Sequence, residues 1–273
     1  MESSSSSNAV PPTRLIHMSH EGNFQLECEA TVLGITKDEE NENIVHIQLD
    51  QTTMHPQGGG QPSDIGKIYE IVDEDNKNDE PKVLVDITKV TTDRASGIVT
   101  HTGTLLSSSS SSLGVGDRVL VRVDKETREI QSECHSAGHV VDSAMARCNQ
   151  LLMANKGYHF LDGPYVEYKG KIPPEEKEAL LPQLQQAFQD LIEEDIPTVI
   201  DETMPKEEAL ERVKLFDLGP FGPTLRLVTI AGWASPCGGT HIKSTACLKK
   251  RQWTILGLKS KKGVVRVKYG PKL

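Results

Sequence analysis

The chain has 273 residues, 36% of them hydrophobic and 25% charged, with a formal net charge of −9. That length allows one large domain or two modest ones, and the acidic balance speaks against indiscriminate nucleic-acid binding. The five cysteines, with no secretory segment ahead of them, do not suggest a disulfide framework, and no apolar run is long enough to cross a bilayer.

Residues 1–12, with the Ser3–Ser7 run, read as a disordered terminus. Residues 13–126 read mostly as strands. Phe24–Gly34 alternates weakly, and Val45–Asp50, Lys82–Ile87 and Arg118–Val123 alternate more clearly. Lys37–Asn43 is a polar hairpin tip, Asp73–Glu80 a solvated loop and Ser107–Ser112 a polar link. Many short strands predict a small β-barrel-like domain. Inside it, Gly58-Gly59-Gly60-Gln61 lacks the Lys-Ser/Thr ending of a triphosphate-binding loop and is no dinucleotide fingerprint. Three consecutive glycines indicate either close backbone approach at a pocket wall or a sharp hairpin linking Asp50 to Ile65. Cys28, Cys148 and Cys247 have apolar neighbours and read as buried thiols.

Residues 127–273 mix helices with strands. Ala137, Val140, Val141, Ala144, Met145, Cys148, Leu151 and Leu152 recur at helical spacing and predict a helix over Cys134–Leu152. Short strands are expected at Tyr158–Leu161 and Tyr165–Tyr168. A second amphipathic helix follows over Glu175–Glu194, then a strand at Pro197–Ile200 and a short helix at Pro205–Val213. Leu225–Ile230, Trp253–Lys259 and Gly263–Tyr269 alternate and can pair as one sheet. The fold class is α+β: a barrel-like domain followed by a domain of long helices on an antiparallel sheet.

Two motifs carry metal chemistry. His135 and His139 stand four apart on the first predicted helix, so their side chains lie on one face. Cys237-Gly238-Gly239-Thr240-His241 follows Pro236, reads as a turn, and can bend its Cys and His towards one point. His135, His139, Cys237 and His241 make a good ligand set for one zinc ion. Asp142 falls on the same helix side and could bond the far nitrogen of His139. A closed structural zinc and an open catalytic one are both compatible with this spacing. Charge gives a separate clue. Ile242–Leu273 holds ten lysines and arginines and no acid. Lys249, Lys250, Arg251, Lys259, Lys261 and Lys262 could hold RNA phosphates, or form a solvated basic face.

These residues resemble the alanyl-tRNA editing proteins of the AlaX type, relatives of the editing domain of alanyl-tRNA synthetase and of the second additional domain of threonyl-tRNA synthetase. The family pattern pairs a His-x-x-x-His helix with a Cys-Gly-Gly-Thr-His loop. Ahead of them it has Asp-x-Thr-x-Phe-Tyr-Pro-x-Gly-Gly-Gly-Gln, which here reads Asp50-Gln51-Thr52-Thr53-Met54-His55-Pro56-Gln57-Gly58-Gly59-Gly60-Gln61. The resemblance runs from about Phe24 to Tyr269. The chain departs from the pattern at Met54 and His55, where two aromatics are usual. It departs again at Cys134, Gly138 and Asp142, where Asn, Thr and His are usual; no ligand position is lost.

The resemblance implies a trans-acting, zinc-dependent deacylase that frees serine and glycine from the acceptor end of tRNA(Ala). It implies a cytoplasmic monomer that needs no ATP and is not a full ligase. Thr52 and the Gly58–Gln61 loop would form the aminoacyl pocket. Zinc would activate water or position the substrate. The alternative is a zinc-stabilised RNA-binding or protein-interaction module without hydrolysis.

Overall fold

The computed structural model describes residues 10–71, 82–106 and 113–272. The Ser3–Ser7 tail, the Asp73–Glu80 loop and the Ser107–Ser112 link lie outside them. The chain divides into two compact units. The first comprises residues through 16, 25–57 and 63–125; the second comprises 17–24, 58–62 and 126 onward. The triple-glycine segment thus groups with the second unit.

The first unit contains β1 (Arg14–Leu15), β2 (Glu27–Lys37), β3 (Ile44–Leu49), β4 (Gln51–Thr52), β5 (Gly66–Glu70), β6 (Val83–Thr92), β7 (Val99–Leu105) and β8 (Arg118–Val123). Six of these close a barrel in the order β2-β3-β7-β6-β5-β8, every neighbouring pair antiparallel. Val45, Ile47 and Leu49 on β3, with Val119, Val121 and Val123 on β8, point inward as their alternation requires. β5 and β7 were not legible as strands. In β7 the inward positions are Val99, His101 and Gly103, a sequence too polar and too small to alternate visibly. Met54, one of the departures from the family pattern, is fully buried in the barrel core.

The second unit contains α1 (Lys125–Arg147), β9 (Met153–Tyr158), β10 (Tyr165–Lys169), α2 (Pro174–Glu193), β11 (Val199–Pro205), α3 (Lys206–Arg212), β12 (Thr224–Ile230), β13 (Trp233–Pro236), β14 (Thr254–Lys261) and β15 (Val264–Gly270). The first helix starts nine residues before the expected Cys134, through a stretch whose buried members are polar: Arg128, Gln131, Ser132 and Glu133. It stops before Leu152 because Asn149 takes a left-handed conformation (φ 57°). The strand expected at Tyr158–Leu161 lies earlier. Past Tyr158 the backbone leaves the ladder, and the His159 N–H donates to the Gly60 carbonyl instead.

The three C-terminal strands expected in one sheet belong to two. β12 joins β11 and β13, while β14 and β15 join β10 and β9 in the order β14-β15-β10-β9. One core of α1, α2 and strand residues unites them, with Phe188, Trp253 and Tyr269 its largest members. Cys28 is buried as expected, Cys148 is half-buried, and Cys247 is exposed on a 3-10 turn over Thr245–Arg251. No helix among the described residues is long and apolar enough to cross a membrane.

Candidate metal centre

Helix α1 presents His135 and His139 on one face, their rings stacked with centroids 5.2 Å apart. The segment after β13 brings Cys237 and His241 to the same point. One ligand atom from each of the four residues falls within 4.8 Å of the others. Cys237 Sγ stands 3.4 Å from His135 Nε2 and 3.3 Å from His241 Nε2. Tetrahedral sulfur and nitrogen ligands about 2.3 and 2.0 Å from one ion would be separated by roughly 3.5 Å. Both ring nitrogens of His139 are buried and have no hydrogen-bond partner among the described residues. A buried, unsatisfied imidazole is costly, and a metal bond would satisfy it. The donor set therefore fits a metal that takes nitrogen and sulfur.

The neighbours orient this set. Gln61 Oε1 lies 2.7 Å from His135 Nδ1 and accepts its N–H, which leaves Nε2 with a lone pair facing Cys237. The same oxygen accepts the Thr240 N–H at 3.0 Å, and Gln61 Nε2 donates to Thr240 Oγ1 at 2.9 Å. Ser136 Oγ contacts His241 Nδ1 at 3.2 Å, so Nε2 of that ring also faces the thiol. Gly239 is required here, because a Cβ on it would come within 2.2 Å of the His135 ring. The glycine run resolves as a tight turn. Gly58 and Gln61 exchange backbone hydrogen bonds around Gly59 and Gly60, with φ of 57° and 82°, the geometry of a two-residue hairpin turn.

Electrostatics follow from burial. His139 is held down to about 4 by burial and then by the charge of Arg226, so it is neutral and ligand-ready at pH 7. Burial pushes the Cys237 thiol up, against the Gly239 N–H and Arg226. A bound cation would reverse that balance. Asp142 is raised to about 7 by burial, and accepts a hydrogen bond from the Tyr168 hydroxyl at 2.5 Å. Its carboxylate stays 3.9 Å from His139 Nδ1, too far for the expected hydrogen bond.

A cavity of 610 Å³ within this unit is lined by His135, His139 and Cys237, and by Tyr168, Phe216 and Phe221. Its volume and apolar lining suit a small organic group. Gly59 reaches it; Gln61 does not, being fully buried with its amide engaged. Two further residues line it that the spacing argument missed. Arg226 clamps the metal loop: Nη1 donates to the carbonyls of Cys237 (2.6 Å) and Gly239 (3.1 Å), and Nε donates to that of Met18 (2.8 Å). Its Nη2 is buried without a partner among the described residues. A charge in the middle of an apolar strand was the available signal. His159 stacks on His135 at 4.3 Å, with Nδ1 2.5 Å from the Tyr269 hydroxyl. Gly138 makes its space, since a Cβ there would meet the His159 ring at 2.6 Å. That accounts for one departure from the family pattern.

Thr52 belongs to the other unit. Its hydroxyl is fully buried, donates to His101 Nε2 at 2.9 Å and accepts the Met54 N–H at 3.0 Å. Of the expected RNA contacts, Lys249 pairs with Glu193 (2.8 Å), Lys250 with Glu129 (3.2 Å) and Arg251 with Glu133. Lys259, Lys261 and Lys262 are exposed on and beyond β14.

A closed antiparallel barrel, followed in the same chain by an α+β unit with a three-histidine, one-cysteine cluster, is the architecture that the resemblance implies. No family model matches the chain. It is 26% identical over 223 residues to the alanyl-tRNA editing protein AlaX-L of Pyrococcus horikoshii, a match covering 80% of this chain and 49% of that protein. It is 28% identical over 232 residues to an alanine–tRNA ligase of Methanothrix thermoacetophila, and 31% identical over 245 residues to one of Korarchaeum cryptofilum. Those matches cover 82% and 86% of this chain but 22% and 24% of the ligases. The chain thus spans about half the length of the editing protein and less than a quarter of either ligase. It is a homologue of alanyl-tRNA editing proteins and of the matching stretch of alanine–tRNA ligases.

Proposed function

We propose that the chain is a zinc-dependent hydrolase that deacylates mischarged tRNA(Ala), releasing serine and glycine. The observation that carries this reading is the cavity: three of the four metal-competent side chains form its wall. A purely structural zinc needs no accessible space beside it, whereas a catalytic one needs an open side. The similarity to an alanyl-tRNA editing protein and to alanine–tRNA ligases supports the choice of substrate class.

In the reaction, water adds to the ester carbonyl, the bond to the ribose oxygen breaks, and that oxygen takes the proton. Zinc, held by His135, His139, Cys237 and His241, would supply Lewis acidity or a fixed point for the ester. The chain's own residues do the rest. Gln61 fixes the His135 tautomer. Arg226 holds the metal loop by the carbonyls of Cys237 and Gly239. Phe216, Phe221 and Tyr168 give the cavity an apolar wall for the amino acid. The acceptor end of tRNA(Ala) is the partner, a cytoplasmic monomer without ATP is the working form, and Lys259, Lys261 and Lys262 meet RNA phosphates.

The test is release of labelled amino acid from preformed Ser-tRNA(Ala), Gly-tRNA(Ala) and Ala-tRNA(Ala). Serine and glycine should leave faster than alanine, and His139→Ala should abolish release. Rates no higher than without protein would refute the reading.

A further inference from the structure

The outward face of the β14-β15-β10-β9 sheet carries a feature that the metal centre does not use. Register fixes which side chains share it. Lys268, Tyr165 and Tyr158 are neighbours across β15, β10 and β9. In the next row Lys259, Arg266, Glu167 and Lys156 follow one another across all four strands. The alternate residues Val166, Tyr168, Val265 and Val267 are buried in the core, so these rows face away from it.

The aromatic members form a column. Tyr158 stacks on Tyr165 at 5.3 Å and 20°, and Phe160 stacks on Tyr158 at 4.7 Å and 19°. Arg266 lies over the Tyr165 ring at 4.0 Å, held by its ion pair to Glu167 at 2.6 Å. Glu167 is thereby neutralised. Lys259 and Lys268 are exposed and have no acidic partner among the described residues. In a chain of net charge −9, a cationic face of this kind is a local reversal of sign. Phe160 and Arg266 end this column, and an unpaired nucleobase can stack on those ends while its phosphates meet Lys259 and Lys268. Lys156 and Glu167 also line the cavity beside His135 and His139. A strand lying on this face would end at that cavity.

We infer that this sheet face binds the unpaired 3′ end of an RNA acceptor strand, with its bases stacked on the ends of the column, on Arg266 held over Tyr165 and on Phe160 held over Tyr158. The direction of the strand into the cavity rests on the deacylase reading.

The experiment measures binding of a hairpin copying the tRNA(Ala) acceptor stem, with and without its unpaired 3′ nucleotides. The proteins compared are wild type, Tyr165→Leu, Arg266→Gln and Lys268→Gln. The unpaired end should tighten wild-type binding about tenfold. Tyr165→Leu and Arg266→Gln should each remove most of that gain and leave binding of the trimmed hairpin unchanged. Lys268→Gln should flatten the salt dependence. A gain that survives both Tyr165→Leu and Arg266→Gln overturns the inference, and so does its absence from wild type. Hydrolysis of a serine ester of adenosine, which has no strand to bind, is followed in parallel. If esters are hydrolysed but the gain ignores the variants, this surface fails and the deacylase stands. If the gain depends on the column but no ester is ever hydrolysed, the deacylase fails and the surface stands.

Discussion

Gln61 influences the metal site without being a ligand. Its carbonyl oxygen accepts the His135 Nδ1–H and the Thr240 N–H, and its amide donates to Thr240 Oγ1. Gln61→Leu keeps the bulk and loses all three bonds, so metal affinity should fall about 10–100-fold, read by competition with a chelator. An unchanged affinity would mean that packing alone orients His135. In the barrel, His101 makes a pH prediction. Its Nδ1–H donates to the Ile47 carbonyl, Thr52 donates to its Nε2, and burial lowers it to about 4. The unfolded chain, with a histidine near 6.5, then binds the proton more readily than the folded one between pH 6.5 and 4. The stability tied to neutral His101 is fully present above 6.5 and lost as pH falls towards 4, by about 3 kcal/mol at most. Acid unfolding followed from pH 7 to 4 should be shallower in His101→Gln than in wild type.

At the scale of elements, α1 shows what the sequence concealed. Its second half is apolar at helical spacing and was legible. Its first half is buried through polar groups: Glu133 accepts the Trp253 Nε1–H at 2.8 Å and pairs with Arg251, and Ser132 bonds Thr240. Periodicity arguments count apolar residues, so a helix face buried by ion pairs escapes them. The same limit hid His101 and Gly103 on β7. The metal ligands were legible because spacing alone carries them: four residues on a helix, and a glycine turn. Arg226 and His159 were hidden because their partners are backbone carbonyls and ring faces from distant segments, which leave no spacing. The Glu133 contacts predict a stability effect. Glu133→Ala strands a buried indole N–H and most of the Arg251 charge, and should cost about 3 kcal/mol in urea unfolding. A loss under about 0.5 kcal/mol, the range of ordinary surface changes, would show that these contacts do not support the helix start.

Over the whole molecule, charge is segregated. The basic C-terminal stretch is partly neutralised by glutamates of α1 and α2, through Lys249, Lys250 and Arg251. Lys259, Lys261, Lys262 and Lys268 stay exposed, without an acidic partner among the described residues, on and beside the four-stranded sheet. The proposed hydrolysis depends on a metal held by His135, His139, Cys237 and His241. The most direct measurement is serine release from Ser-tRNA(Ala) by metal-stripped protein during stepwise return of zinc. Release should be negligible from the stripped protein, rise to saturation at about one zinc per chain, and not rise for Cys237→Ala. Release that persists undiminished without metal, or that stays absent at full zinc occupancy, would contradict it.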